Sequence, residues 1–138
     1  MKNIHKYTDF LNEKIKASEA YDTMDAVQTL IDGKRDLAFI AVMDDYKYNA
    51  NNLYELKALA YGASNGLGVM EVKGKEDGQA YILYVKGKED KAQELADYSS
   101  SKGGYLSDSS PEEARLVGNL LDYDEKDIEE YVQGKYGI

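Results

Sequence analysis

The stretch Gly68-Val-Met-Glu-Val-Lys-Gly-Lys-Glu-Asp-Gly-Gln-Ala-Tyr-Ile-Leu-Tyr-Val85 decides the fold. It holds two strand patterns around Lys75-Glu-Asp-Gly78, and an Asp-Gly pair between apolar runs is a strong sign of a β-hairpin. The first pattern, about residues 68–74, carries charge and is expected at a sheet edge. The second, Ala80 to Val85, is apolar on both faces and is expected at the centre. Upstream, Leu37-Ala-Phe-Ile-Ala-Val-Met43 has no polar alternation. A continuous run of this length reads as a strand buried on both faces.

Helical patterns surround these strands. Residues 8–17 place Phe10, Leu11 and Ile15 on one face after Thr8. Residues 23–32 follow Asp22, carry a stripe of Met24, Val27, Leu30 and Ile31, and end at Gly33. From Asn51 or Asn52 to about Tyr61, the spacing turns Leu53, Leu56, Leu59 and Ala60 inward. Residues 89–99 turn Ala92, Leu95 and Ala96 inward, and a Ser- and Gly-rich loop follows. Ser110-Pro-Glu-Glu113 is a helix start, with an N-cap, a proline at the first position and a glutamate at the third. Asp124 caps a last helix that Gly134 ends. The order predicts one α+β domain over residues 1–138: a small three-stranded, mostly antiparallel sheet packed with helices, and a C-terminal helical hairpin.

Composition excludes several chemistries. The chain has 138 residues and no cysteine, so disulfides, thiolate metal sites and cysteine nucleophiles are absent. His5 is the single histidine, which leaves a Ser-His-Asp triad dependent on a residue near the N-terminus. No secretory leader and no membrane-length apolar run are present, so a cytoplasmic protein is expected. The net charge is −9, from 26 acids against 17 bases. Acidity of this size argues against nucleic acid and anionic membranes as partners. It is uneven: residues 104–138 carry nine acids and three bases.

Four groups of residues are candidates for function. Asp44 and Asp45 stand where the first strand ends, a place where ligands bind in α/β layers. They suit either a Mg²⁺-assisted phosphate or a solvated turn, and adjacent residues leave a strand on opposite sides. Tyr46, Tyr48 and Tyr105 lie in loops, where tyrosine offers large contact area at low entropy cost. From Asp122 to Glu130 six of nine residues are acidic, Glu129 and Glu130 among them. Helix capping accounts for part of this run, and Asp122, Glu129 and Glu130 are the remainder. Lastly, Val-Lys-Gly-Lys-Glu-Asp occurs at 72–77 and again at 85–90, as an anion clamp or as two strand exits. Gly62 to Gly68 has phosphate-loop composition, but it runs from helix to strand, the reverse of such loops.

Residues 115–132 include Arg115, Gly118, Leu120, Leu121 and Tyr123. They resemble a helical hairpin found in a family of uncharacterised archaeal proteins, roughly His-Arg-x-Ile-Gly-x-Leu-Leu-Gly-Tyr-Pro. Ala114, Asp122 and Asp124 replace its histidine, glycine and proline. The resemblance implies a microbial or viral origin and carries no function.

These features together predict a non-enzymatic interaction protein with no cofactor. It would present an acidic, tyrosine-bearing surface to a protein partner, itself basic in one version. One form of this is a phage or viral inhibitor that mimics nucleic-acid charge. The alternative is a small-molecule or nucleotide site near Asp44, and homo-oligomerisation through the second strand's edge is a third option.

Overall fold

The computed structural model describes residues 23–43 and 50–137. Five helices and three strands follow in the order α1 (Thr23–Ile31), β1 (Leu37–Met43), α2 (Ala50–Ser64), β2 (Gly68–Val72), β3 (Gly78–Tyr84), α3 (Glu89–Ser101), α4 (Pro111–Leu120) and α5 (Glu125–Tyr136). The sheet is antiparallel with order β1-β3-β2. The apolar strand of the hairpin is thus central, as its two-faced apolar pattern demands. The expected helix over 8–17 and its neighbour Asp22 lie outside the described residues, as do His5, Asp44, Asp45, Tyr46 and Tyr48.

Both faces of the sheet are covered, and strand alternation sorts the side chains. Leu37, Val72, Ala80 and Ile82 face α3 and the end of α4, where they meet Leu95, Leu120 and Leu121. Ala38, Ile40 and Leu83 face α1 and α2, where they meet Val27, Leu30 and Ala58. Cross-strand rows build the first face, Phe39 opposite Ile82 and Ile82 opposite Met70. β1 is closed in at its start and only half-buried from Ala41 onward. Its unbroken apolar run therefore marks an edge strand between two helical layers.

Three local expectations are corrected. Leu53 and Leu56 of α2 are exposed at 53% and 43%, and Ala60 is also exposed; the helix approaches the sheet instead through Ala58 and Gly62. A Cβ on Gly62 would stand 2.7 Å from Leu83 Cδ1, so close approach of helix to sheet selects the small residues. For the same reason Gly62 lies within the helix, which runs on to Ser64. Gly134 does not end α5 either. The helix continues to Tyr136, because Lys135 and Tyr136 both anchor on Asp108, and Gly137 caps it at φ 73°.

The α4 start forms as read, with Ser110 Oγ accepting from the Glu113 amide at 3.2 Å. Its C-terminus closes as a Schellman motif, in which Tyr123 N–H donates to the Gly118 carbonyl and Asp122 N–H to Asn119. Asp122 takes the left-handed position at φ 61°, where glycine is the usual residue.

Candidate functional site

Among the described residues β1 has one strand neighbour, and the register fixes which of its main-chain groups face away from it. The Val85 amide donates to the Asp36 carbonyl at 3.0 Å. Alternation along an antiparallel pair then points the main-chain groups of Ala38, Ile40 and Val42 at β3. Those of Leu37, Phe39 and Ala41 point out of the sheet. Among the described residues no strand pairs with that side.

A cleft of about 330 Å³ lies along this edge. Thr23 and Glu55 stand on its α1–α2 side, Leu106, Leu121 and Tyr123 on its α4–α5 side, and Phe39 and Ala41 come from β1. Thr23 Oγ1 donates to Glu55 Oε1 at 2.5 Å. Arg35, just before β1, belongs to the same cleft. Its Nε donates to the Leu121 carbonyl at 3.0 Å, and its guanidinium stands 5.3 Å from the centre of the Tyr123 ring. Its Nη1 is shut off from solvent and has no acceptor. No carboxylate among the described residues comes within ion-pair distance of it. The chain's other arginine, Arg115, is held by Glu129 through two bonds of 2.9 and 3.0 Å. Among the described residues, one arginine is thus paired with a carboxylate and the other is not.

The frame behind Arg35 is rigidly bonded. Lys91 of α3 bridges Asp36 at 2.9 Å and Asp122 at 2.8 Å, and Asp122 also accepts from the Asp36 amide. Burial pulls the Lys91 ammonium down, but its bonds to Asp122 and Asp36 outweigh this and raise its pKa. This explains an aspartate at a glycine-type position: the side chain joins three segments distant in sequence.

A second cavity of about 230 Å³ shares Leu106, Leu121 and Tyr123 with the first. Asp108 stands at it and accepts from Lys135 Nζ at 2.9 Å, Tyr131 Oη at 2.8 Å and Tyr136 Oη. Burial works to raise the Asp108 carboxyl, but the donors Tyr136, Lys135 and Tyr131 hold it below the ordinary value. The stabilisation it gives is therefore present above the ordinary carboxylate range and lost as pH falls through its folded pKa.

Nearby, Tyr98 Oη donates to the Ser107 carbonyl. Burial, with the charges of Glu113 and Asp108, pushes its pKa up to about 12. The folded state thus favours the neutral phenol. That contribution is complete below the ordinary tyrosine pKa and fades as pH rises through about 12. Alkaline titration followed at 295 nm is expected to give a late tyrosinate step near pH 12, smaller by one tyrosine in Tyr98→Phe. If the variant keeps the full amplitude of that step, the assignment to Tyr98 fails.

The residues singled out from sequence are not gathered at one place. Tyr105 Oη bonds to Asp77, and its ring covers the buried Lys75 ammonium at 3.7 Å, so it clamps the hairpin turn. Asp122 bonds to Lys91, and Glu129 is paired with Arg115. Asp124 caps α5 through the Lys126 amide. Glu130 stays exposed on α5. Both Lys-Gly-Lys copies are turns with a left-handed glycine, Gly74 at φ 88° and Gly87 at φ 97°. Lys73 and Lys75 of the first copy are already paired, with Glu71 and Asp77.

Sequence reading passed over Arg35, a single cation between Lys34 and Asp36 with no motif around it. The one available signal was the scarcity of arginine. Among the described residues no three His, Cys, Asp or Glu side chains assemble as a metal site needs, and no helix is long and apolar enough to cross a membrane. Comparison with family models, curated proteins and solved structures returned no significant match.

Proposed function

We propose that this protein is an interaction module that holds an extended polypeptide segment of a partner along the open edge of β1. The observation that carries the reading is the edge itself. The main-chain groups of Phe39 and Ala41, two residues that line the walled cleft, point out of the sheet. Unused strand edges template pairing with another chain, and folded proteins ordinarily blunt them with charge, proline or bulges. β1 has none of these devices over its seven residues. β2, at the other edge, is five residues long and carries Glu71. Strand addition supplies affinity through main-chain bonds and selectivity through the flanking walls. The acidic surface is the lesser candidate, since Asp122, Asp124 and Glu129 already serve internal bonds.

The test uses the full chain and a random peptide library. Proline at Ala41 removes an amide that no ladder bond uses, so Ala41→Pro leaves the β1–β3 pairing in place. Selected peptides are expected to protect the Phe39 and Ala41 amides from hydrogen exchange, and Ala41→Pro is expected to lose them while keeping its circular dichroism. The reading is overturned if no peptide is selected, or if Ala41→Pro binds the selected peptides as well as the parent does. Protection of these amides in the free chain would also overturn it, since residues 1–22 would then fill the edge.

A further inference from the structure

We infer that the segment received at β1 is a chain terminus, with its α-carboxylate held by Arg35. The inference rests on the strand-addition reading above and deepens it. Arg35 lies two residues before the start of β1, so it marks the N-terminal end of the edge. An added strand that runs antiparallel to β1 brings its own C-terminal end to that place. A strand added in parallel brings its N-terminal end there, and a free ammonium would meet the guanidinium as a like charge. The cation therefore selects both a direction and a terminus.

The state of Arg35 fits this role. Its Nε bond to Leu121 and the Tyr123 ring hold the guanidinium in place. Nη1 is closed off from water and lacks an acceptor, a condition that costs free energy and favours a shift of the side chain toward any acceptor that enters the cleft. A carboxylate presents two acceptor oxygens that match the planar fork of an arginine. The shared wall of Leu106 and Leu121 makes the surroundings of that carboxylate apolar, which strengthens the pairing and suits a terminal aliphatic residue.

The experiment compares each selected peptide as a free acid and as its C-terminal amide, by fluorescence anisotropy on the parent chain, Arg35→Met and Arg35→Lys. On the parent, the amide is expected to bind about tenfold to a hundredfold more weakly. Arg35→Met is expected to bind acid and amide alike, and Arg35→Lys to recover part of the preference. The inference is overturned if the amide binds the parent as tightly as the acid, a result that needs no variant to fold. It is also overturned if Arg35→Met, shown folded by circular dichroism, keeps the full preference for the acid. Either result leaves strand addition standing when Ala41→Pro still abolishes binding. Loss of the strand-addition reading appears separately, as binding that Ala41→Pro does not affect.

Discussion

Ile82→Ala is expected to cost about 2–5 kcal/mol, a large share of the stability of a domain this size. Ile82 is fully buried on the central strand, opposite Phe39 on one side and Met70 on the other. Truncation removes the middle of that row, and neither neighbour can fill the space without leaving its strand position. The cost therefore combines lost burial with a residual cavity. Urea denaturation is the measurement: the midpoint should fall while the slope stays constant, because the unfolded chain exposes the same surface. Val69→Ala is the control. Val69 is 42% exposed on β2, and its truncation should cost less than about 1 kcal/mol. Equal losses at the two positions would mean that the described core is wrong.

The second large effect concerns the contact between α4 and α5. A Cβ on Gly118 would lie 2.7 Å from Ile128 Cγ1 and 2.8 Å from its Cδ1. Ile128 is itself buried at 3% and cannot swing into solvent. Gly118→Val is therefore expected to cost about 3 kcal/mol by forcing the hairpin apart. Ile128→Ala alone leaves a cavity, at about 2–5 kcal/mol. The double variant lets the new side chain occupy the vacated space, so its loss should fall short of the sum by about 1–3 kcal/mol. Strict additivity in a double-mutant cycle would mean that the two residues do not touch.

The β-hairpin, the central position of β3 and the Ser110-Pro111 start were legible because each depends on local chemistry. An Asp-Gly pair, a two-faced apolar run and a proline at a first helical turn need no knowledge of the rest of the chain. α2 was misread because leucine outweighs alanine and glycine in any apolar pattern, while close packing of a helix on a sheet reverses that preference. Ala58 and Gly62 carry the contact, and Leu53 and Leu56 are left outside. The roles of Arg35 and Asp122 depend on partners far along the chain. Arg35 meets Leu121, and Asp122 meets Asp36 and Lys91. Charge arithmetic counted Asp122 toward a surface, whereas its position at the end of α4 commits it to the frame.

The strand order also sets an order of assembly. β2 and β3 are consecutive and joined by a short turn, so their pairing closes a small loop. β1 must find β3 across the whole of α2 and β2, with Leu37 meeting Tyr84. Contacts between residues far apart in sequence are slow to form, because chain entropy is lost before they reward it. The hairpin is thus the natural nucleus, and β1 is the strand that joins late. The open edge is then the last surface of the sheet to come into being. It takes its final form only once β1 has found β3 across that separation.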